Sequence, residues 1–385
     1  MTLIHGARKV DAAGVVEDFW VHFDGDAIAA TGVGAPPSYS GERVDAAGRW
    51  LAPGFVDLHC HGAGGASFDD GVDAIERALA VHRAHGTTRS VISLVANPLE
   101  DLESSLAGIA ELTRRDPLVL GSHLEGPFLA AERKGAHNPA YLLAPSPPAV
   151  DRLIRAADGT LRQLTLAVEL PGAPAAITRL REAGVLVAVG HTEADEMQAQ
   201  RAFDAGASLL THVFNAMRGI GHRDPGPVVA ALQDERVTAE LILDGVHVHP
   251  DVARLVFRAA PGRVALITDA MAAAGEPDGR YRLGSLDVDV TGGVARLCSP
   301  DGALGSIAGS TLTLDGALAR AVDIVGLSPT DAVAALTLVP ARALGLDSSL
   351  GLLEPGYAAD AVLLSADWLV DEVWAAGRRV GSALG

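Results

Sequence analysis

Two histidines, His59 and His61, occupy alternate positions in the apolar segment FVDLHCH. Alternate side chains of a β-strand leave the same face, so both imidazoles can bind one cation if this segment is a strand. A lone pair of this kind is more often a structural feature than a metal site. The residues elsewhere in the chain have to decide between the two interpretations.

Four more polar residues stand near the ends of other apolar segments. They are Glu125 in HLEGPF, His191 in VGHT, His212 in THVFN and Asp269 in ITDAM. Neutral imidazoles and carboxylates suit a borderline divalent ion such as zinc, and a coordination position left open for water makes such a site catalytic. The alternative for each histidine is a core residue hydrogen-bonded to a backbone carbonyl. Polar residues at the ends of several segments in turn favour the metal site.

The same residues allow two neighbouring ions. The predicted ligands are His59, His61 and Asp269 for one ion and His191 and His212 for the other, with Glu125 bridging. A carboxylate beside activated water can accept a proton and later donate it to a leaving amine, which makes Asp269 a candidate general base and acid. The other interpretations of Asp269 are a metal ligand alone and the cap of a following helix.

Eight β-rich apolar runs contain these residues, and stretches of helical composition separate the runs. The runs are residues 55–61, 89–96, 118–127, 164–170, 185–192, 208–215, 238–246 and 263–271. Alternating strands and helices predict a parallel sheet, and eight units predict an α/β fold with a closed (β/α)8 TIM-like barrel. Active sites of such barrels lie at the C-terminal ends of the strands, where the candidate ligands are found.

Both ends of the chain have a different pattern of short strands and turns. We expect residues 1–52 and 341–385 to form a small β-sandwich domain beside a barrel of residues 53–340. The segment 281–297 contains a Thr-Gly-Gly turn and predicts a hairpin inserted after the eighth barrel strand.

The composition excludes several classes of function. The chain has 385 residues, 49% hydrophobic, and a net charge of −18, which argues against binding to nucleic acid or to an anionic membrane. No uncharged apolar stretch is long enough to span a bilayer and the first residues lack a signal-peptide pattern, so we expect a cytoplasmic protein. The two cysteines, Cys60 and Cys298, are too few for a disulfide framework and are expected to be reduced.

At this point the chain resembles the amidohydrolase superfamily and, within it, the N-acetylglucosamine-6-phosphate deacetylases. The motifs are PGFVDLHCHG (53–62), HLEGPFL (123–129), KGAHNP (134–139), VGHTEA (189–194), THVFNAM (211–217), RDPG (223–226), DGVHV (244–248), TDAM (268–271) and IAGS (307–310). Their order and spacing run almost from end to end of the chain. The resemblance implies hydrolysis of the acetamide of N-acetylglucosamine 6-phosphate in amino-sugar metabolism.

Site roles follow from the resemblance residue by residue. It implies that Glu125, His191 and His212 hold the principal divalent ion, most consistent with Zn²⁺, and that Asp269 is the catalytic acid and base. Some members replace the strand-one histidines by amides and use one metal, so His59 and His61 place this chain among those that could bind two. The implied substrate-binding residues are Ala136, His137, Asn215, Ala216, Arg223, Asp244, His247, Ile307, Ala308 and Gly309.

Within that set the resemblance places His137 at the acetyl carbonyl and Arg223, His247 and the amides around Asn215 at the sugar phosphate. It further implies a homodimer in which Arg223 and His247 reach the site of the neighbouring subunit.

A deacetylase of N-acetylgalactosamine 6-phosphate is the main alternative function, because the two sugars differ only in the orientation of one hydroxyl. A cyclic amidase is a weaker alternative, since those enzymes typically bridge two metals through a carboxylated lysine and Glu125 takes that bridging place here. A non-enzymatic scaffold would be expected to lack the base or the ligands.

Overall fold

The computed structural model describes residues 1–298 and 304–380. Contacts divide the chain into two compact units. The terminal unit comprises Met1–Asp57, Ala80–Arg89 and Thr313–Gly385, and the barrel unit comprises Leu58–Leu79 and Ser90–Leu312. In the part of the chain described here, no helix has the length and apolar character needed to cross a membrane.

The strands are numbered in chain order. They are β1 (Thr2–Asp11), β2 (Gly14–Asp24), β3 (Ala27–Val33), β4 (Glu42–Asp45), β5 (Trp50–Pro53), β6 (Phe55–Cys60), β7 (Gly62–Ala63), β8 (Ala66–Ser67), β9 (Thr87–Leu94), β10 (Val119–Glu125), β11 (Leu161–Leu166), β12 (Leu186–Val189), β13 (Leu209–Leu210), β14 (Thr238–Ile242), β15 (Val264–Ile267), β16 (Gly279–Leu283), β17 (Leu286–Thr291), β18 (Val294–Cys298), β19 (Leu304–Ile307), β20 (Ala361–Leu364), β21 (Val370–Ala375) and β22 (Arg378–Val380).

The helices follow the same convention. They are α1 (Val72–Ala84), α2 (Leu99–Arg115), α3 (Pro147–Ala156), α4 (Ala173–Glu182), α5 (Glu196–Ala205), α6 (Gly226–Gln233), α7 (Pro250–Ala259), α8 (Leu314–Arg320), α9 (Pro329–Ala334) and α10 (Leu338–Ala343). Short 3₁₀ turns occur at Phe68–Asp70, Ala131–Arg133 and Pro139–Tyr141, and a π-helical turn occurs at Ala321–Val325.

Eight strands form the predicted barrel sheet, in the order β15-β14-β13-β12-β11-β10-β9-β6. Neighbouring strands from β9 to β15 pair in parallel, as connections through helices require. At the C-terminal edge the sheet is joined back on itself, because Asp269 N–H donates to the His59 carbonyl and His61 N–H donates to the Ala270 carbonyl, each at 2.8 Å. The predicted (β/α)8 architecture is therefore confirmed.

Helix α5 shows how the sequence sets the position of functional segments. Asp195 and Gln198 form a reciprocal capping box at its start, and Gly206 ends it in the left-handed conformation with φ 111°. Because both ends are specified, the connection between β12 and β13 is fixed. These two strands lead directly to His191 and His212.

The terminal unit contains one eight-stranded sheet to which both chain ends contribute. Its order is β22-β21-β20-β5-β1-β2-β3, and β4 pairs with the edge of β1. The core of this unit includes Phe19, Phe23 and Trp374, all buried. Helices α8 to α10 group with this unit, whereas the sequence boundaries assign residues up to 340 to the barrel.

The segment after β15 is larger than the predicted hairpin. Strands β17 and β18 form that hairpin around Gly292 and Gly293, but β16 and β19 extend it to a four-stranded antiparallel sheet. Residues 299–303 lie outside the described part of the chain. A small core that includes Met271, Val288 and Ala308 supports this insertion sheet. The sheet carries Leu283 and Ile307 to the pocket described below.

Candidate active site

His59 lies on β6 and His61 follows the last residue of that strand; both side chains are buried, and their Nε2 atoms are 3.0 Å apart. The two imidazoles lie together, as their alternate spacing predicts. Asp269 follows β15, and its Oδ1 lies 3.6 Å from His59 Nε2 and 3.4 Å from His61 Nε2. Glu125 ends β10 and places Oε2 3.2 Å from His61 Nε2. We call these four residues the strand site.

A second group shares Glu125 and adds residues that follow β12 and β13. Glu125 Oε1 lies 3.0 Å from both His191 Nε2 and His212 Nε2, and the two nitrogens are 3.1 Å apart. In each group the potential ligand atoms all lie within 4.8 Å of one another. We call Glu125, His191 and His212 the loop site, because its two histidines belong to strand-end loops. All six predicted ligands thus converge on one cluster.

The chemistry of this cluster fits divalent ions. Nitrogens that each lie about 2.0–2.1 Å from a shared ion stand roughly 3–3.5 Å apart, which matches the Nε2 separations observed in both groups. Burial lowers the pKa of His59, but the Glu125 and Asp269 carboxylates outweigh this effect and raise that pKa well above its usual range. The site therefore stabilises positive charge in a buried place. Mixed nitrogen and oxygen ligands suit zinc and similar ions.

Hydrogen bonds at Nδ1 determine which ring nitrogens are available as ligands. His191 Nδ1 donates to the Arg133 carbonyl oxygen at 2.7 Å, which leaves Nε2 with a lone pair toward Glu125. His59 Nδ1 lies 3.2 Å from Glu240 Oε2, with the same consequence for its Nε2. The Nδ1 atoms of His61 and His212 have no hydrogen-bond partner among the described residues. Each site therefore has one anchored imidazole.

His137 has the opposite arrangement. Its Nδ1 accepts from the Ala96 N–H at 3.2 Å, so its proton is on Nε2. That Nε2 lies 3.2 Å from Glu125 Oε2 and borders the pocket. A neutral His137 can therefore donate a hydrogen bond to a carbonyl oxygen bound beside Glu125.

Five residues of the cluster, namely His61, Glu125, His191, His212 and Asp269, line a cavity of about 330 Å³. Seven of the predicted substrate-binding residues line it, namely Ala136, His137, Asn215, Ala216, His247, Ile307 and Gly309. Arg223, Asp244 and Ala308 are not among the described residues that do so. Asp244 accepts from His247 Nδ1 at 2.7 Å, Ala308 is buried in the insertion sheet, and Arg223 is exposed.

The sequence profile of the amidohydrolase family matches residues 50–380. The chain belongs to the amidohydrolase family. Among its relatives, the N-acetylgalactosamine-6-phosphate deacetylase of Escherichia coli is 41% identical over 333 residues, 85% of this chain and 87% of that protein. The N-acetylglucosamine-6-phosphate deacetylase of Vibrio furnissii is 35% identical over 365 residues, 91% of this chain and 89% of the relative.

A solved structure extends the likeness to the whole fold. It is a mutant N-acetyl-D-glucosamine-6-phosphate deacetylase from Mycobacterium smegmatis in complex with N-acetyl-D-glucosamine-6-phosphate. This amidohydrolase chain matches it with a TM-score of 0.92 and 44% identity, covering 99% of both chains.

The site of this amidohydrolase contains residues that the sequence interpretation missed. Glu240 on β14 contacts His59, Gln163 on β11 donates to Glu240, and Arg133 both lines the pocket and orients His191. Glu240 had a readable signal, since a charged residue inside the apolar run TAELI must be paired if that run is a buried strand. The role of Arg133 had none, because every residue has a backbone carbonyl.

Proposed function

We propose that this amidohydrolase hydrolyses the acetamide of N-acetyl-D-glucosamine 6-phosphate to glucosamine 6-phosphate and acetate. The observation that carries the proposal is the cluster of six metal-ligand candidates, five of which line a cavity of about 330 Å³. A cavity of this size suits a small polar ligand. Relatives with this activity in their names, at 35–44% identity over most of the chain, support the choice of substrate.

Glu125, His191 and His212 would hold one divalent ion, and His59, His61 and Asp269 with Glu125 a second. We propose zinc for both. A divalent ion supplies Lewis-acid chemistry there, polarising the amide carbonyl and acidifying water.

Asp269 moves the proton. Its carboxylate accepts a proton from the attacking water as the new carbon–oxygen bond forms, and it returns that proton to the amide nitrogen as the carbon–nitrogen bond breaks. The products are the free amine and acetate. Asp269 is suited to this role because it is 8% exposed, lines the pocket and lies within 3.6 Å of both strand-site histidines.

His137 positions the acetyl group. Since Ala96 N–H fixes its proton on Nε2, the ring offers a donor to the acetyl carbonyl oxygen, where negative charge develops as water adds. The distance of 3.2 Å between this donor and Glu125 Oε2 supports the proposed role.

Arg223, His247 and the backbone around Asn215 and Ala216 would bind the phosphate. His247, Asn215 and Ala216 line the pocket of their own chain, whereas Arg223 is exposed and is not among its described lining residues. This difference supports a homodimer in which Arg223 serves the neighbouring subunit. Arg223→Ala should lower kcat/KM for the phosphorylated sugar roughly 10- to 150-fold, the loss of a charge-assisted contact.

Subunit mixing tests that assignment. Asp269→Asn subunits that retain Arg223 should restore activity to Arg223→Ala subunits on co-assembly, because one site of the mixed dimer is then complete. Verified mixed dimers without restored activity would place Arg223 within its own site. Equal loss on phosphorylated and unphosphorylated sugars would remove it from phosphate binding.

N-acetylgalactosamine 6-phosphate is the second candidate substrate. The observation that favours it is the relative of that name, which is 41% identical to this chain. Both sugars would use the same metal site, the same acid–base group and the same phosphate-binding residues. Only the pocket wall around the epimeric hydroxyl can separate them.

The deciding experiment measures acetate release from N-acetylglucosamine 6-phosphate, N-acetylgalactosamine 6-phosphate and both unphosphorylated sugars. The highest kcat/KM is expected for the glucosamine derivative. A higher value for the galactosamine derivative would select the second candidate, and no release from any of the four would reject both. The cytoplasmic location expected from the sequence stays a prediction, which cell fractionation would test.

A further inference from the structure

Glu240 is a fully buried carboxylate that takes no part in the reaction proposed above. It lies on β14 between two apolar neighbours, Ala239 and Leu241, with 0% of its surface exposed. A buried charge is strongly destabilising unless hydrogen bonds or opposite charges compensate it. Glu240 has such compensation on both oxygens, from His59 on one side and Gln163 on the other.

Gln163 fixes the direction in which Glu240 points. Its Nε2 donates to Glu240 Oε1 at 2.7 Å, and the Gln163 side chain is also fully buried. The reverse amide orientation would bring two acceptor oxygens together, so the donor has to face the carboxylate. Glu240 Oε2 is thereby left for His59 Nδ1, at 3.2 Å.

The position of the His59 proton decides whether this residue can be a ligand. Glu125 and Asp269 lie 3.5 and 3.6 Å from Nε2, and these carboxylates would attract a proton to that nitrogen. A proton on Nε2 occupies the lone pair that an ion needs. Glu240 competes from the opposite side, because it accepts a proton held on Nδ1.

The His59 ring is also held in place sterically. His123 packs edge-on against it with ring centroids 4.6 Å apart. His123 is itself fixed by hydrogen bonds of 2.9 Å to the hydroxyls of Ser93 and Thr165. Rotation of the His59 ring away from Glu240 would therefore require a second buried imidazole to move.

We infer that Glu240, oriented by Gln163, is a positioning residue that keeps His59 as an Nε2 ligand and thereby sets the affinity of the strand site for its divalent ion. The inference rests on the proposed metal-dependent function of the cluster. It assigns Glu240 no contact with substrate. The loop site should be independent of Glu240, because His191 is anchored by the Arg133 carbonyl instead.

The test measures Zn²⁺ and Co²⁺ binding to the full-length protein by competition with a chromophoric chelator and by elemental analysis, without substrate. The unaltered protein is expected to bind two ions. Glu240→Met, which keeps the side-chain length without an acceptor, should weaken one ion about 10- to 100-fold and leave the other unchanged. Glu240→Gln retains an acceptor oxygen and should weaken the same ion by less than about 10-fold.

A double-mutant cycle connects the effect to His59. In a His59→Asn background, Glu240→Met should cause no further loss of affinity, because the imidazole through which it acts is absent. Asp315→Asn is the matched control, since Asp315 is a buried carboxylate that contacts another imidazole, His85, in the terminal unit. This control should lower thermal stability without changing either ion affinity.

Unchanged affinities in Glu240→Met, or an equal loss in the His59→Asn background, would overturn the inference. So would a single bound ion in the unaltered protein. If the Met variant does not fold, Glu240→Gln decides: a smaller loss for one ion that vanishes in the His59→Asn background supports the inference, and no loss overturns it. Failure of the proposed function is distinguishable, because two ions with the stated dependence on Glu240 and no acetate release from any sugar phosphate would reject the function alone.

Discussion

The strand site and the loop site use the same ligand chemistry but are supported in different ways. Of the strand-site histidines, His59 belongs to β6 and His61 follows it directly, and a buried side chain, Glu240, anchors His59. The loop-site histidines have left-handed backbone, with φ of 47° at His191 and 24° at His212, and the anchor is the Arg133 carbonyl. The two pairs of histidines therefore differ in backbone, whereas Asp269 of the strand site, with φ of 47°, shares the left-handed conformation of the loop-site histidines.

Left-handed backbone at a residue with a side chain costs about 1–2 kcal/mol and persists only where the surroundings impose it. In the loop site the surroundings include the loop that covers the pocket, because Arg133 belongs to it and also pairs with Glu193. Ligand geometry in the loop site is thus tied to the conformation of the pocket wall. The backbone of the strand-site histidines is hydrogen-bonded to the segment after β15 instead.

The largest effect is expected from a substitution of Glu125, the residue that the strand site and the loop site share. Glu125 belongs to both groups, so Glu125→Gln should weaken both ions together and lower kcat/KM on the order of 1000-fold or more, since the metal supplies several kcal/mol of transition-state stabilisation. Ion binding and kinetics on the same preparation check this outcome. Loss of only one ion would show that Glu125 is not shared.

Asp269→Asn should have the next largest effect. The change is nearly isosteric and removes the proton acceptor, so kcat should fall on the order of 100-fold or more while KM changes little. Ion content separates its two roles, because retained metal with low kcat indicates acid–base work. Loss of the strand-site ion would instead identify Asp269 as a ligand first.

Gly135→Ala should perturb the loop site alone. Gly135 has φ +55°, and a Cβ there would lie 3.1 Å from His191 Cε1. Gly184→Ala is the matched control, with φ +74° and open space around the added Cβ. Both variants should lose about 1 kcal/mol of stability from the left-handed backbone. Only Gly135→Ala should weaken an ion, by roughly 10-fold.

If Gly184→Ala weakened the ion equally, general destabilisation would account for the effect. If Gly135→Ala weakened the strand-site ion, the two sites would not be independent. The His59→Asn variant, which leaves the loop site as the stronger remaining site, identifies which ion has changed.

The smallest effect concerns an imidazole–carboxylate pair remote from catalysis. The hydrogen bond to Asp315 raises the pKa of His85, and its contribution to stability is present at low pH and lost as pH rises through that raised value. Burial raises the pKa of Asp315, but the hydrogen bond with His85 outweighs this and lowers it, so its contribution is lost as pH falls through the lowered value.

The pair therefore stabilises the protein most between roughly pH 4 and roughly pH 6.5, and its contribution falls as pH rises from there through the raised pKa of His85. Asp315→Asn should reduce Tm more at about pH 5.5 than at about pH 9. The corresponding difference in the free energy of unfolding is at most about 1 kcal/mol, because the His85 side chain is 30% exposed. Thermal unfolding at the two pH values measures it. An equal loss at both would show that the pair acts by packing rather than by charge.

The sequence predicted the eight barrel strands because apolar runs and helical stretches alternate with little ambiguity. It also predicted that the six candidate ligands lie together, since each is a polar residue that interrupts or ends such a run. The insertion sheet exceeds the predicted hairpin, because β19 lies beyond it and because β16, which overlaps its first residues, pairs with β17 through the Gly284-Ser285 turn. Local patterns likewise do not show that α8 to α10 group with the terminal unit.

The supports of the ligands were harder to predict than the ligands. Glu240 and Gln163 are 77 positions apart and meet only because β11 and β14 belong to the same barrel. The left-handed backbone of His191 has no sequence signal, since glycine is the residue that usually marks it.

The backbone hydrogen bonds that join β6 to the segment after β15 have a consequence for folding. His59 and Asp269 are linked through their own main chains, one on the first barrel strand and the other just after the last. The strand site is therefore complete only after the final strand has docked against the first. An ion bound there would stabilise the closed barrel. Slow dissociation of that ion would slow the separation of the first barrel strand from the last.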